Sequence, residues 1–124
     1  MTITGVVVDG REAIIPLTVM GLGEHSIEIN AVIDTGFTGH LTLNAGLARE
    51  LDLTLLGSRY VTLANGSTVA LDVYRATVLW DGEKRPVRAF ATEGASLIGM
   101  ALLYGSELRI QATDGGEVLI RTLT

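Results

Sequence analysis

Of the side chains able to do chemistry, Asp34 has the most telling position. It ends the run Ile27-Glu28-Ile29-Asn30-Ala31-Val32-Ile33 and opens Thr35-Gly36-Phe37-Thr38-Gly39. A strand this rich in Ile and Val belongs in a core. A carboxylate delivered from such a strand costs free energy unless it is paired or hydrogen-bonded, and charges so placed are kept mainly for function. Gly36 and Gly39 let the backbone close around the carboxylate and aim N–H groups at it. The plainer reading of the same residues is a turn that ends a strand. The other reactive residue types offer less. The chain has no cysteine, which excludes disulfides and thiolate metal sites. His25 and His40 have no Cys and no close carboxylate or imidazole at ligand spacing, so neither is expected to hold a metal. His40, close to the Asp34 loop, reads as surface or hydrogen-bonded packing.

The segments that would position Asp34 are mostly strands. Ile3 to Val8 is a β-branched run ended by Asp9-Gly10, and Glu12 to Met20 resumes it. Pro16 cannot donate to a ladder, so that strand should lie at an edge or bulge there. Gly21-Leu22-Gly23-Glu24 reads as a turn, His25 to Asp34 as a strand entering the core, and His40 to Leu43 as a short strand beyond the Asp34 loop. Asn44 is a helix N-cap for Ala45 to Leu51, whose Leu47 and Leu51 would face inward while Arg49, Glu50 and Asp52 are solvated.

Ser58 to Ala64 and Ser67 to Leu79 flank Asn65-Gly66, a strong type I′ hairpin signal. Tyr74 and Trp80 read as packing for that hairpin. Asp81-Gly82 is a further turn, Lys84 to Arg88 a solvated turn and edge strand, and Pro86 to Ala91 the strand itself. Leu97-Ile98-Gly99 is a brief strand, followed by a helical turn from Met100 to Tyr104 that stops at Gly105. Glu107 to Gln111 and Glu117 to Arg121 close a last hairpin around Asp114-Gly115-Gly116. Short strands at intervals of about ten residues indicate an all-β barrel or sandwich. With no repeat or linker, one domain spanning residues 1–124 is expected.

Composition narrows the partners. The 48% hydrophobic and 19% charged content is that of an ordered globular chain. A net charge of −5, with no basic cluster beyond Lys84-Arg85 and Arg88, argues against nucleic acid. The uncharged run from Ala95 to Ser106 is too short to cross a bilayer, and residues 1–5 lack the features of a signal peptide. A cytoplasmic location without membrane insertion is the expectation.

An apolar strand into Asp34-Thr35-Gly36, a hairpin at Asn65-Gly66, and Leu97-Ile98-Gly99 before an apolar helical turn occur in that order. This combination resembles the retropepsin-like aspartic proteases of clan AA, specifically the single-domain bacterial branch with Asp-Thr-Gly-Phe in the catalytic loop. The resemblance runs from the strand His25–Asp34 to the final hairpin. It implies an acid-protease barrel with a short helix after the catalytic loop and another near the C-terminus. It also implies an aspartic endopeptidase with Asp34 catalytic, Thr35 locking two loops of a dimer together, and Gly36 holding the carboxylate. Ala64, Asn65, Gly66 and Ser67 would form a flap over the substrate. Leu97, Ile98 and Gly99 would pack behind the loop. Phe37 stands where pepsin-like enzymes carry a Ser or Thr bonded to the aspartate. The acid–arginine pair common in the retroviral branch is replaced by Thr38 and Met100. These departures keep a second reading open, a non-catalytic peptide-binding or dimerisation module on the same fold.

Peptide hydrolysis of the kind the resemblance implies needs two carboxylates and no metal, nucleotide or organic cofactor. Asp9, Asp52, Asp72, Asp81 and Asp114 sit in turn or amphipathic contexts without a Thr/Ser-Gly loop behind them. The second carboxylate would therefore be Asp34 of another copy, in a C2 homodimer that binds an extended peptide or protein substrate. Such pairing would also cover Ile3–Val8 and Val118–Leu123, apolar terminal strands read here as exposed edges.

Overall fold

The computed structural model describes residues 2–21 and 23–124. Met1, and Leu22 within the expected turn at residues 21–24, lie outside the described residues. The remainder is an all-β fold with two short helices, as the strand spacing suggests.

Strands β1 (Thr2–Val8) and β2 (Glu12–Met20) are joined by Asp9-Gly10, and β3 (Ser26–Ile33) runs into the Asp34 loop. Beyond that loop come β4 (Leu41–Asn44) and helix α1 (Ala45–Glu50), then the hairpin of β5 (Thr54–Thr62) and β6 (Thr68–Trp80). Next are β7 (Glu83–Thr92), β8 (Leu97–Ile98) and helix α2 (Met100–Leu103), and finally β9 (Ser106–Ile110) and β10 (Glu117–Thr122). The Asn44 side chain accepts from the Gly46 N–H at 2.8 Å, the expected cap, and Leu51 is buried just past the helix.

The sheet runs β5-β6-β7-β4-β8-β3-β2-β1-β10-β9, and β6 also pairs with β2 through Val19–Val78 and Met20–Thr77. That extra pairing closes β2, β3, β8, β4, β7 and β6 into a six-stranded ring. Outside the ring, β5 extends β6 as a hairpin, and β1, β10 and β9 extend β2. Alternate residues of β2 (Ile15, Leu17 and Val19) fill the core with Leu41, Leu43, Val78, Ile98 and Leu102. Trp80 is buried with them, at the barrel end of β6.

Two expectations are corrected by the pairing. The terminal strands are not edges. β10 is bonded to β1 and β9, and β1 to β10 and, over Val6–Val8, to β2; the outermost strands are β5 and β9. Lys84 to Arg88 of β7 is bonded to β6 alone, the edge that was expected, and β4 joins β7 only over Ala89–Thr92. Pro16 faces Asn30 of β3 in a strand with neighbours on both flanks, at a point where β2 has left β1 and not yet met β6. A missing donor is tolerated in that gap.

The second correction concerns the hairpin tip. Asp9-Gly10 (φ 53° and 61°) and Asp81-Gly82 (φ 55° and 80°) have the two left-handed residues of a type I′ turn, whereas at the tip only Gly66 does (φ 85°). Gly66 N–H donates to Leu63 O and Leu63 N–H to Ser67 O, closing a three-residue loop. The register explains the change. A two-residue turn at Asn65-Gly66 would set Val61 across from Ala70, while the observed pairing sets Val61 against Val69 on the more buried face.

Candidate active site

Asp34 follows directly on β3, whose last residues pair in parallel with β8, Val32 with Leu97 and Ile33 with Ile98. The Asp34 N–H continues that ladder by donating to Ile98 O at 2.9 Å. The chain then turns sharply, with Phe37 N–H donating to Asp34 O. The Gly36 N–H meets Asp34 Oδ1 at 2.9 Å, a charge-assisted bond that fixes the carboxylate. Asp34 is half-buried, and Thr35 and Gly36 beside it are exposed.

Residues 98–101 back this loop through main-chain bonds. Gly99 N–H donates to His40 O at 3.0 Å, Met100 N–H to Phe37 O at 2.8 Å and Ala101 N–H to Gly39 O at 3.2 Å. Where the retroviral pattern has a charged pair, at Thr38 and Met100, these backbone bonds tie the two segments together. The approach is so close that a Cβ on Gly99 would lie 2.2 Å from Gly39 O and 2.6 Å from Phe37 O. Phe37 turns its ring onto Phe90 of β7, edge-to-face with centroids 6.1 Å apart.

The fold thus gathers Asp34, Thr35, Gly36, Phe37, Leu97, Ile98 and Gly99 in one place. Ala64, Asn65, Gly66 and Ser67 form the exposed tip of the β5–β6 hairpin. There Asn65 Oδ1 accepts from the Ser67 N–H at 2.9 Å and from its hydroxyl at 2.6 Å.

Thr42 was missed by sequence reasoning. It is buried in β4, where its hydroxyl oxygen accepts from Leu97 N–H at 2.8 Å and its O–H donates to Ala95 O at 3.3 Å. It thereby anchors the start of β8 behind the loop. A hydroxyl between Leu41 and Leu43 in an apolar strand was the available signal.

His40 is half-buried where the loop enters β4. Burial lowers its pKa below the usual 6.5, and the nearby Arg85 and Arg88 charges lower it further. The unfolded chain therefore binds this proton more readily than the folded one, and stability falls as pH drops from about 6.5 through the folded value. In thermal melts between pH 7.5 and 5, His40→Asn should show a smaller loss of Tm than the wild type. Equal losses would refute this.

No helix of the described residues is long and apolar enough to cross a membrane. No protein-family model matches the sequence, and no curated protein does. Among solved structures, the chain is similar to a retropepsin-like aspartic protease from Rickettsia conorii, with a TM-score of 0.62 and 16% identity over 98% of this chain and 90% of the other. At that identity the likeness is one of architecture, and the fold of this chain is the fold of a retropepsin-like aspartic protease.

Proposed function

We propose that the chain is an aspartic endopeptidase acting as a two-fold homodimer, with one Asp34 from each copy. The observation that carries this reading is the position of Asp34. Its carboxylate is held by the Gly36 N–H in a loop braced by residues 98–101, on a fold shared with an aspartic protease. One copy supplies one such carboxylate. A second copy about a two-fold axis brings its equal alongside.

Two carboxylates about 3 Å apart cannot both ionise and so share a proton. The ionised one takes a proton from water as it attacks the peptide carbonyl, and the protonated one donates to the carbonyl oxygen. The pair titrates as a unit and gives a bell-shaped profile on the acid side of neutrality. Thr35, exposed beside Asp34, bonds across the axis. The two hairpin tips cover an extended peptide held by strand-like pairing.

Digestion of a peptide library from pH 3 to 8 by wild type and Asp34→Asn tests the reading. Cleavage by the wild type alone is expected. Cleavage by both, or by neither, overturns it, and binding without cleavage would mark a peptide-binding module. Light scattering should separately give twice the 13.1 kDa chain mass at tens of micromolar. A monomer there would defeat the shared site.

A further inference from the structure

The register of the β6–β7 ladder places Arg75 directly across from Arg88. Like charges in that position weaken a strand pair. Neither is in a salt bridge among the described residues, where the ion pair found joins Arg121 to Glu107. Two residues along, on the same face, Val73 pairs with Phe90, the residue that carries the ring of Phe37 from the catalytic loop. Val73 also pairs with Gly57 of β5, and the next pair on that face is Leu71 with Arg59. One sheet face thus carries three arginines around the aromatic contact beneath the loop.

An open cleft of about 450 Å³ collects these groups. Arg59, Arg75, Arg88 and His40 line it with Val73 and Pro86, between the end of the catalytic loop and the base of the hairpin. Among the described residues no carboxylate lines it. The neighbouring acid, Asp72, accepts from the Ser58 hydroxyl at 3.0 Å. In a chain of net charge −5 with nine Lys and Arg, three arginines in one cleft are a marked local excess. Guanidinium forks match a carboxylate in two-point geometry, and the exposed Pro86 offers apolar surface for the methylenes behind it. The negative charge of the whole chain disfavours a polyanion.

We propose that this cleft takes the carboxylate of an acidic side chain in the bound peptide, so that an acidic residue at a set distance from the scissile bond determines specificity. This rests on the peptidase reading for the scissile bond, but peptide binding tests it without catalysis.

Fluorescence anisotropy of the Asp34→Asn protein would be measured against a labelled neutral octapeptide carrying Glu or Gln at each position in turn. One position, or two adjacent ones, should bind about tenfold more tightly with Glu. The preference should shrink in 0.5 M salt and vanish when Arg75→Gln and Arg88→Gln are added. With the repulsion removed, that variant should melt at the same temperature or about 2 °C higher. Arg59→Gln, on the exposed hairpin, should reduce the preference on its own.

A flat Glu scan overturns the proposal, as does a preference that survives loss of the arginines. So would inorganic phosphate shifting the arginine Nε–H resonances while the scan stays flat, which would assign the cleft to a free anion. Peptide cleavage with a flat scan sinks only the cleft. A Glu preference without any cleavage sinks only the peptidase reading.

Discussion

Asp34→Asn should lower peptide cleavage by about a thousandfold or more at every pH, with the fold intact. The substitution keeps size and shape, and the Asn carbonyl oxygen can still accept the Gly36 N–H that Asp34 Oδ1 accepts at 2.9 Å. What it removes is the ability to share and pass a proton. Steady-state rates on a peptide found by library digestion read the loss, and a melting temperature within a few degrees of wild type shows that the loop survives. Mixing probes the shared site more sharply. If each site needs Asp34 from both copies, equilibrating wild type with an equal amount of variant leaves about a quarter of the all-wild-type activity, because one dimer in four keeps both acids. Sites complete within one chain would leave half, and that result would end the two-fold mechanism.

A large loss of stability is expected at Gly99. An Ala there would place its Cβ 2.2 Å from Gly39 O and 2.6 Å from Phe37 O, both backbone atoms. Rotating a side chain cannot relieve such contacts, so the Asp34 loop must separate from residues 98–101 and strain the bonds from Gly99 N–H to His40 O and from Met100 N–H to Phe37 O. A cost of about 3 kcal/mol or more is expected, read as a lower denaturant midpoint and a Tm loss of about 10 °C. Adding Phe37→Ala should not rescue it, since the obstacle is main chain. Gly94→Ala is the control, because a Cβ there meets nothing within 4 Å, and it should change stability by less than about 0.5 kcal/mol. Equal effects at Gly94 and Gly99 would mean that the loop and its backing are not closely apposed.

Both expectations show how the Asp34 loop and residues 98–101 act together. An aspartate leaving a buried strand is held by its own turn through Gly36, and the turn is held by a segment more than sixty residues further along the chain. The main-chain bonds from Met100 and Ala101 do this without a charged pair, and Phe37 packs on Phe90 beside them. The same Phe90 neighbours the Arg75–Arg88 pair, so the loop and the cationic cleft share one piece of sheet.

Some of this register was available in the sequence. A two-residue turn at Asp81-Gly82 pairs Trp80 with Glu83 and, counting back along both strands, Arg75 with Arg88. Reading Lys84 to Arg88 as a solvated edge overlooked that step. At Asn65-Gly66 the dipeptide misled, because the gain from setting Val61 against Val69 outweighed the turn preference.

The sequence by itself determined what depends on neighbours within a few residues: the apolar runs, the Asp-Gly turns, the Asn44 cap, and a carboxylate stranded at a strand end with glycines to hold it. Only the tertiary structure decided the closure of the ring by Val19 and Val78, the parallel seating of β8 beside β3, the covering of the terminal strands, and the crowding that makes Gly99 a glycine. The physical reason is range. Turn and cap preferences act over a few bonds, whereas these pairings are selected by how the whole sheet curls to bury its apolar face, a condition that no short segment carries.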